Sequence, residues 1–173
     1  MSDEPTTNDT KNDTTSDAAA DERTFLCLVD SSEEFGPTLR FACARANNTG
    51  GRISLLYVIE PAEFQHWLGV GDRMQAESRE EAEEMCQVVS DVVMRRTGKM
   101  PTIYIRDGKA HEVIMDLAEE EPSLSVLVLG SSTGDNGPGP LVSHIVNKMA
   151  GKFALPITIV PGGLTDEEID SIT

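Results

Sequence analysis

The sequence predicts an α/β domain, a doubly wound five-stranded parallel sheet with helices on both faces. Three observations predict it. Five short runs rich in Val, Ile and Leu recur along the chain, each of strand length and not helix length. Stretches of helical periodicity separate them, so strand and helix alternate. Two of the runs, TFLCLVD (Thr24–Asp30) and LSVLVLG (Leu124–Gly130), are apolar at almost every position, as strands covered on both faces are.

Thr24–Asp30 forms the first strand. Ser31 or Ser32 can then cap a helix running to about Asn47, with Leu39, Ala42, Cys43 and Ala46 at helical spacing and Thr49-Gly50-Gly51 as its stop. RISLLYVIE (Arg52–Glu60) is the second strand, ended by Pro61. EFQHWLGVGDRM (Glu63–Met74) is a loop or short helix holding the single Trp. Within it, His66 beside Trp67 suits packing over a sheet edge or a dimer contact. A long helix spans Asp72–Thr97, with Met74, Ala82, Met85, Val89 and Val92 or Val93 as its inward stripe. Glu77, Glu80, Glu81, Glu83 and Glu84 form its wet side, with Arg73–Glu77 as an i,i+4 pair. Gly98 sits where a C-cap glycine belongs. PTIYIRD (Pro101–Asp107) is the third strand and AHEVIMDLAEEE (Ala110–Glu121) the third helix, ended by Pro122. Leu124–Gly130 is the fourth strand. A glycine-rich loop, a helix from about Leu141 to Gly151, and the fifth strand PITIV (Pro156–Val160) complete the order.

The ends of the chain read differently. Residues 1–22 contain no Val, Ile, Leu or aromatic residue, and seven acids there face one base, Lys11. Such a segment buries too little apolar surface to offset its ordering entropy, so it reads as a disordered acidic arm ahead of a domain over residues 23–163. Residues 164–173 read as an acidic tail or as a short helix capped by Thr165, with Glu168 three positions on. The formal charge of −16 repels nucleic acid and anionic membrane, which excludes both as partners. The beginning of the chain shows no secretory pattern, and no apolar run is long enough to span a membrane. Cys27, Cys43 and Cys86 are odd in number and widely spaced, fitting reduced core thiols of a cytoplasmic protein and neither a disulfide framework nor a zinc site.

In a sheet of this kind, ligands bind outside the carboxyl ends of the strands where strand order reverses. The groups at those ends are Asp30, the Val58–Pro61 turn, Asp107 and the loop after Gly130. That loop and the helix after it read GSSTGDNGPGPLVSHIV (Gly130–Val146). Gly130, Gly134 and Gly137 allow close backbone approach to a phosphate, and a helix start follows. Pro138 and Pro140 each remove an N–H donor, Asp135 adds a negative charge, and no Lys or Arg stands in the loop. The loop is therefore open to two readings, a nucleotide site or a turn that only joins strand to helix. Asp30 also has two readings, a ligand contact or a helix cap. Ser143 and His144 can touch a ligand phosphate or simply face the surface. His111 reads as a solvated residue near a helix start. Neither a nucleophile elbow nor a paired-carboxylate motif is present, so nothing in the sequence points to an enzyme.

VDSSE (Val29–Glu33), LLYVIEP (Leu55–Pro61), VLVLGSSTGDNG (Val126–Gly137) and ALPITIVPG (Ala154–Gly162) occur in one order along the chain. Together they resemble the universal stress protein family from Arg23 to Gly162. The resemblance implies strand order 3-2-1-4-5 and a switch point between the first and fourth strands, where many members bind ATP or AMP. It implies that Asp30 meets the adenosine, that Val58 meets the adenine through its backbone, and that the protein dimerises through Pro156–Val160. The family's late signature is Gly, two residues, Gly, nine residues, Gly, then Ser or Thr. Its first half stands here as Gly134-Asp135-Asn136-Gly137, but after nine further residues come Asn147 and Lys148. Aligned back from Pro156, Ser143-His144 takes the place of the Gly-Ser pair. The expected protein is a cytoplasmic, homodimeric stress-response binding protein taking an adenine nucleotide. The alternative is a nucleotide-free module of the same fold that meets a protein partner.

Overall fold

A computed structural model describes residues 22–61, 71–134, 137–149 and 151–173. The acidic arm up to residue 21, the stretch with His66 and Trp67, and Asp135 lie outside the described residues. The apolar runs become strands β1 (Thr24–Leu28), β2 (Arg52–Ile59), β3 (Thr102–Asp107), β4 (Leu124–Ser131) and β5 (Ile157–Pro161). All neighbours pair in parallel, in the order β3-β2-β1-β4-β5. The helices are α1 (Phe35–Thr49), α2 (Gly71–Thr97), α3 (Ala110–Glu120), α4 (Pro140–His144) and α5 (Asp166–Ile172).

Strand periodicity divides the core into two layers. Phe25, Cys27 and Val29 face one side, where Leu39, Ala42 and Cys43 of α1 and Val89 and Val93 of α2 cover them. Leu26 faces the other side with Leu56, Leu127 and Leu129, under Ile114 and Leu117 of α3 and Val142 of α4. β1 is central and buried on both faces, which explains why its run is apolar throughout.

The helices depart from the sequence expectation in three places. α1 starts at Phe35 with Glu34 in the N-cap position, so neither Ser31 nor Ser32 caps it; Ser32 instead donates its N–H and hydroxyl to the Asp30 carboxylate, at 2.9 and 2.5 Å. Met74 is 43% exposed and is not part of the inward stripe of α2. Residues 73–77 are all exposed, and the buried stripe begins at Ala82 and runs through Cys86, Val89 and Val93. The helix after the glycine loop does not run on to Gly151 as a regular α-helix. It widens into a π turn over Ile145–Met149, and Val142, Ile145 and Met149 all reach the second core layer.

Of the two readings open for the last residues, the structure has the capped helix. The Thr165 hydroxyl accepts from Glu168 N–H at 3.2 Å and the Glu168 carboxylate accepts from Thr165 N–H at 2.9 Å. At the other end, Glu22 accepts from Lys99 Nζ at 2.5 Å and pairs with Arg52 Nε at 3.0 Å. The Lys99 hydrogen bond holds the Glu22 carboxyl below the usual range.

The three cysteines are free and buried. Burial pushes the Cys43 thiol up to about 11 and raises Cys27 and Cys86 as well. The thiolate is the reactive form, so a thiol reagent is expected to label none of them in the native protein and all of them after denaturation. Fast labelling at neutral pH without denaturant contradicts this packing.

Candidate functional site

β1 and β4 are adjacent parallel strands, and the sheet grows from β1 toward β2 and from β4 toward β5. Their loops therefore diverge and leave a crevice between them, as at any switch point. A cavity of about 240 Å³ lies there. Leu28, Leu129 and Gly130 reach it from the strand ends, and Asp30 and Ser32 from the loop after β1. Glu34, Phe35 and Thr38 line it from the start of α1, and residues 138–142 from the entry to α4. Asp30 and Gly130 thus share one cavity.

The Asp30 carboxylate accepts from Ser32 N and Oγ, so Asp30 closes a turn at the cavity and does not cap α1. Gly130 is needed for close approach, but to the protein itself. A Cβ there would stand 2.6 Å from Thr38 Oγ1 and 2.8 Å from Glu34 Cγ. Gly162 plays the same part on the other side, where a Cβ would stand 2.6 Å from Glu34 Cβ. The stem of Glu34 is lodged between the end of β4 and the turn after β5.

Val58 does not line the cavity; its side chain packs with the second core layer. Its backbone is placed differently. The Leu56 carbonyl accepts from Val29 N–H at 2.7 Å and so faces β1. Two residues on, the backbone groups of Val58 face the same side, above the end of β1.

Gly134, Gly137, Ser143 and His144 are absent from the cavity lining. Three of the loop's donors are spent on the loop itself: Ser132 N–H on Pro138 O, Gly134 N–H on Ser132 Oγ and Gly137 N–H on Gly134 O, at 3.3, 3.4 and 3.3 Å. Gly139, at φ +97°, makes the turn into α4, a conformation glycine reaches without strain. Ser143 N–H donates to Gly139 O at 3.0 Å. The His144 ring lies against that of His111, with centroids 4.0 Å apart, and this contact joins α4 to α3. Sequence reasoning missed Glu34 and Thr38 as cavity residues. The signal available was the pair Gly130 and Gly162, which marks close approach without saying by what.

The sequence model of the Universal stress protein family matches residues 22–161. The chain belongs to the universal stress protein family. No curated protein matches this chain. Among solved structures, Universal stress protein UspA from Lactobacillus plantarum superposes on this chain with a TM-score of 0.67 at 18% identity, covering 82% of this chain and 99% of that one. A universal stress protein in complex with cAMP has a TM-score of 0.58 at 13% identity, covering 81% and 97%. The universal stress protein from Archaeoglobus fulgidus in complex with dAMP has a TM-score of 0.52 at 16% identity, covering 80% and 98%. At these identities the likeness is one of fold. Among the described residues, no helix is long and apolar enough to cross a membrane.

The contact between His111 and His144 carries a pH prediction. Burial, then His111 and Lys148, hold His144 below the usual imidazole range. A depressed folded pKa means that the unfolded chain takes up the proton first, so stability is full above the ordinary histidine pKa of about 6.5 and falls as the pH drops through it. Glu112 Oε1, 3.9 Å from His111 Nε2, offsets part of the repulsion once His111 is charged. Thermal melts between neutral pH and pH values just above carboxylate titration are expected to show this slope, and His144→Asn is expected to flatten it. An unchanged slope in the variant assigns it to other groups.

Proposed function

We propose that this chain is a cytoplasmic stress-response protein that works by binding, and that it takes the adenosine part of an adenine nucleotide, AMP or ATP, at the sheet switch point. The observation that carries the reading is the cavity shared by Asp30 and Gly130 at the ends of β1 and β4. In this reading Asp30, a cavity residue, accepts from ribose hydroxyls, and the backbone of Val58, level with it above β1, meets the adenine edge. The cAMP and dAMP complexes of fold relatives support the same ligand class. Calorimetry with adenosine, AMP and ATP tests it: heat is expected with the first of these and is expected to be lost in Asp30→Ala. No heat with any of them at millimolar concentration refutes it.

The protein is proposed to act as a homodimer through the edge strand β5, whose outermost position in the sheet and 40% exposed Ile159 support that use. Sedimentation equilibrium tests this, and a monomer at all concentrations refutes it. One observation favours the second reading, an interaction module without nucleotide: Thr38 and Glu34 occupy the space against Gly130. Ligand-independent melting combined with a dimer supports that reading.

A further inference from the structure

We propose that Glu34 sets the charge selectivity of the switch-point cavity, so that it binds the nucleoside more tightly than the 5′-phosphorylated nucleotide. The inference rests on the adenosine reading above and narrows it. Glu34 lines the cavity, and its stem is fixed from two sides by Gly130 and Gly162, where an added Cβ would come within 2.8 Å of Glu34 Cγ and 2.6 Å of Glu34 Cβ respectively. The side chain therefore has little room to retreat into the sheet. Its carboxylate has no ion-pair partner among the described residues. Among the described residues that line the cavity, Asp30 and Glu34 are the charged ones and none is a Lys, Arg or His.

Three of the loop's N–H groups that could meet a phosphate are already used. Ser132, Gly134 and Gly137 give their N–H groups to the loop's own oxygens, and Pro138 and Pro140 have none to give. A nucleoside with its ribose hydroxyls on Asp30 and its base beside Val58 directs its 5′ carbon toward Gly130, where Glu34 stands. A hydroxyl at that carbon can donate to the carboxylate. A phosphate dianion there meets like charge in a partly desolvated cavity, where Coulomb repulsion is far stronger than in water.

Calorimetry of adenosine and AMP against the wild type and Glu34→Gln tests this, with melting curves to verify that the variant is folded. The wild type is expected to bind adenosine about tenfold or more tightly than AMP, and the variant to narrow that ratio by about tenfold. Added salt is expected to narrow the ratio in the wild type and to change it far less in Glu34→Gln, a readout that fold stability does not move. Adenosine binding with equal or tighter AMP binding in the wild type overturns this inference and leaves the adenosine reading standing. A magnesium ion that makes ATP the tightest ligand of the wild type, with the gain lost in Glu34→Gln, also overturns it, since the carboxylate then attracts phosphate through the metal. No binding of adenosine refutes the adenosine reading, and this inference with it.

Discussion

Replacing Ile169 with alanine is expected to destabilise the protein by about 2–5 kcal/mol, the usual range for truncating a fully buried aliphatic side chain. Ile169 has no exposed surface although it lies four residues from the end of the chain. It belongs to α5, which the capping box starts and which docks on α1. Arg40 fixes the pair, with Nη1 at 3.0 Å from Asp166 and Nη2 at 2.7 Å from Asp170. The carbonyl of Thr173 accepts from Asn48 Nδ2 at 2.7 Å. Arg40→Ala is expected to cost clearly less, because Asp166 and Asp170 are well exposed. Urea unfolding of both variants decides the matter. A loss below about 1 kcal/mol for Ile169→Ala means that α5 is an appendage and not part of the core.

Gly130→Ala carries the second large effect, about 1–3 kcal/mol from overpacking. The new Cβ would meet Thr38 Oγ1 at 2.6 Å and Glu34 Cγ at 2.8 Å. Thr38 cannot swing away freely, since its hydroxyl donates to Glu34 O at 2.6 Å within the first turn of α1. The start of α1 must then move off β4, or the cavity must change shape. Adding Thr38→Ala to Gly130→Ala is expected to recover part of the loss, so the two changes are non-additive. A Gly130→Ala protein as stable as the wild type shows that α1 does not press on β4 as described.

The fold was readable because its signals are local. β1 and β4 announce themselves by apolar residues on both faces, and Thr165 with Glu168 announces a helix start. The strand order came from the family resemblance and not from the strands themselves, because pairing is a property of distant segments. The site was legible in part. Asp30 and Gly130 could be placed at strand ends, but which atoms fill the space beside Gly130 depends on where α1 begins. α1 begins at Phe35, past both serines that offered a cap. Likewise Gly134 and Gly137 read as points of close approach to a ligand phosphate, whereas their N–H groups close onto Ser132 Oγ and Gly134 O. His111 and His144 are 33 positions apart and gave no sign of their contact.

Titration of isotope-labelled protein with adenosine, followed through the backbone amides, tests directly whether the β1/β4 notch is the binding place. Shifts are expected to concentrate on Asp30, Val58, Gly130 and Leu141, and to spare the far edge of the sheet around Arg106 and Asp116. Saturable shifts centred on that far edge, with Asp30 and Gly130 unmoved, would show that the ligand lies elsewhere and that the switch point is not the site.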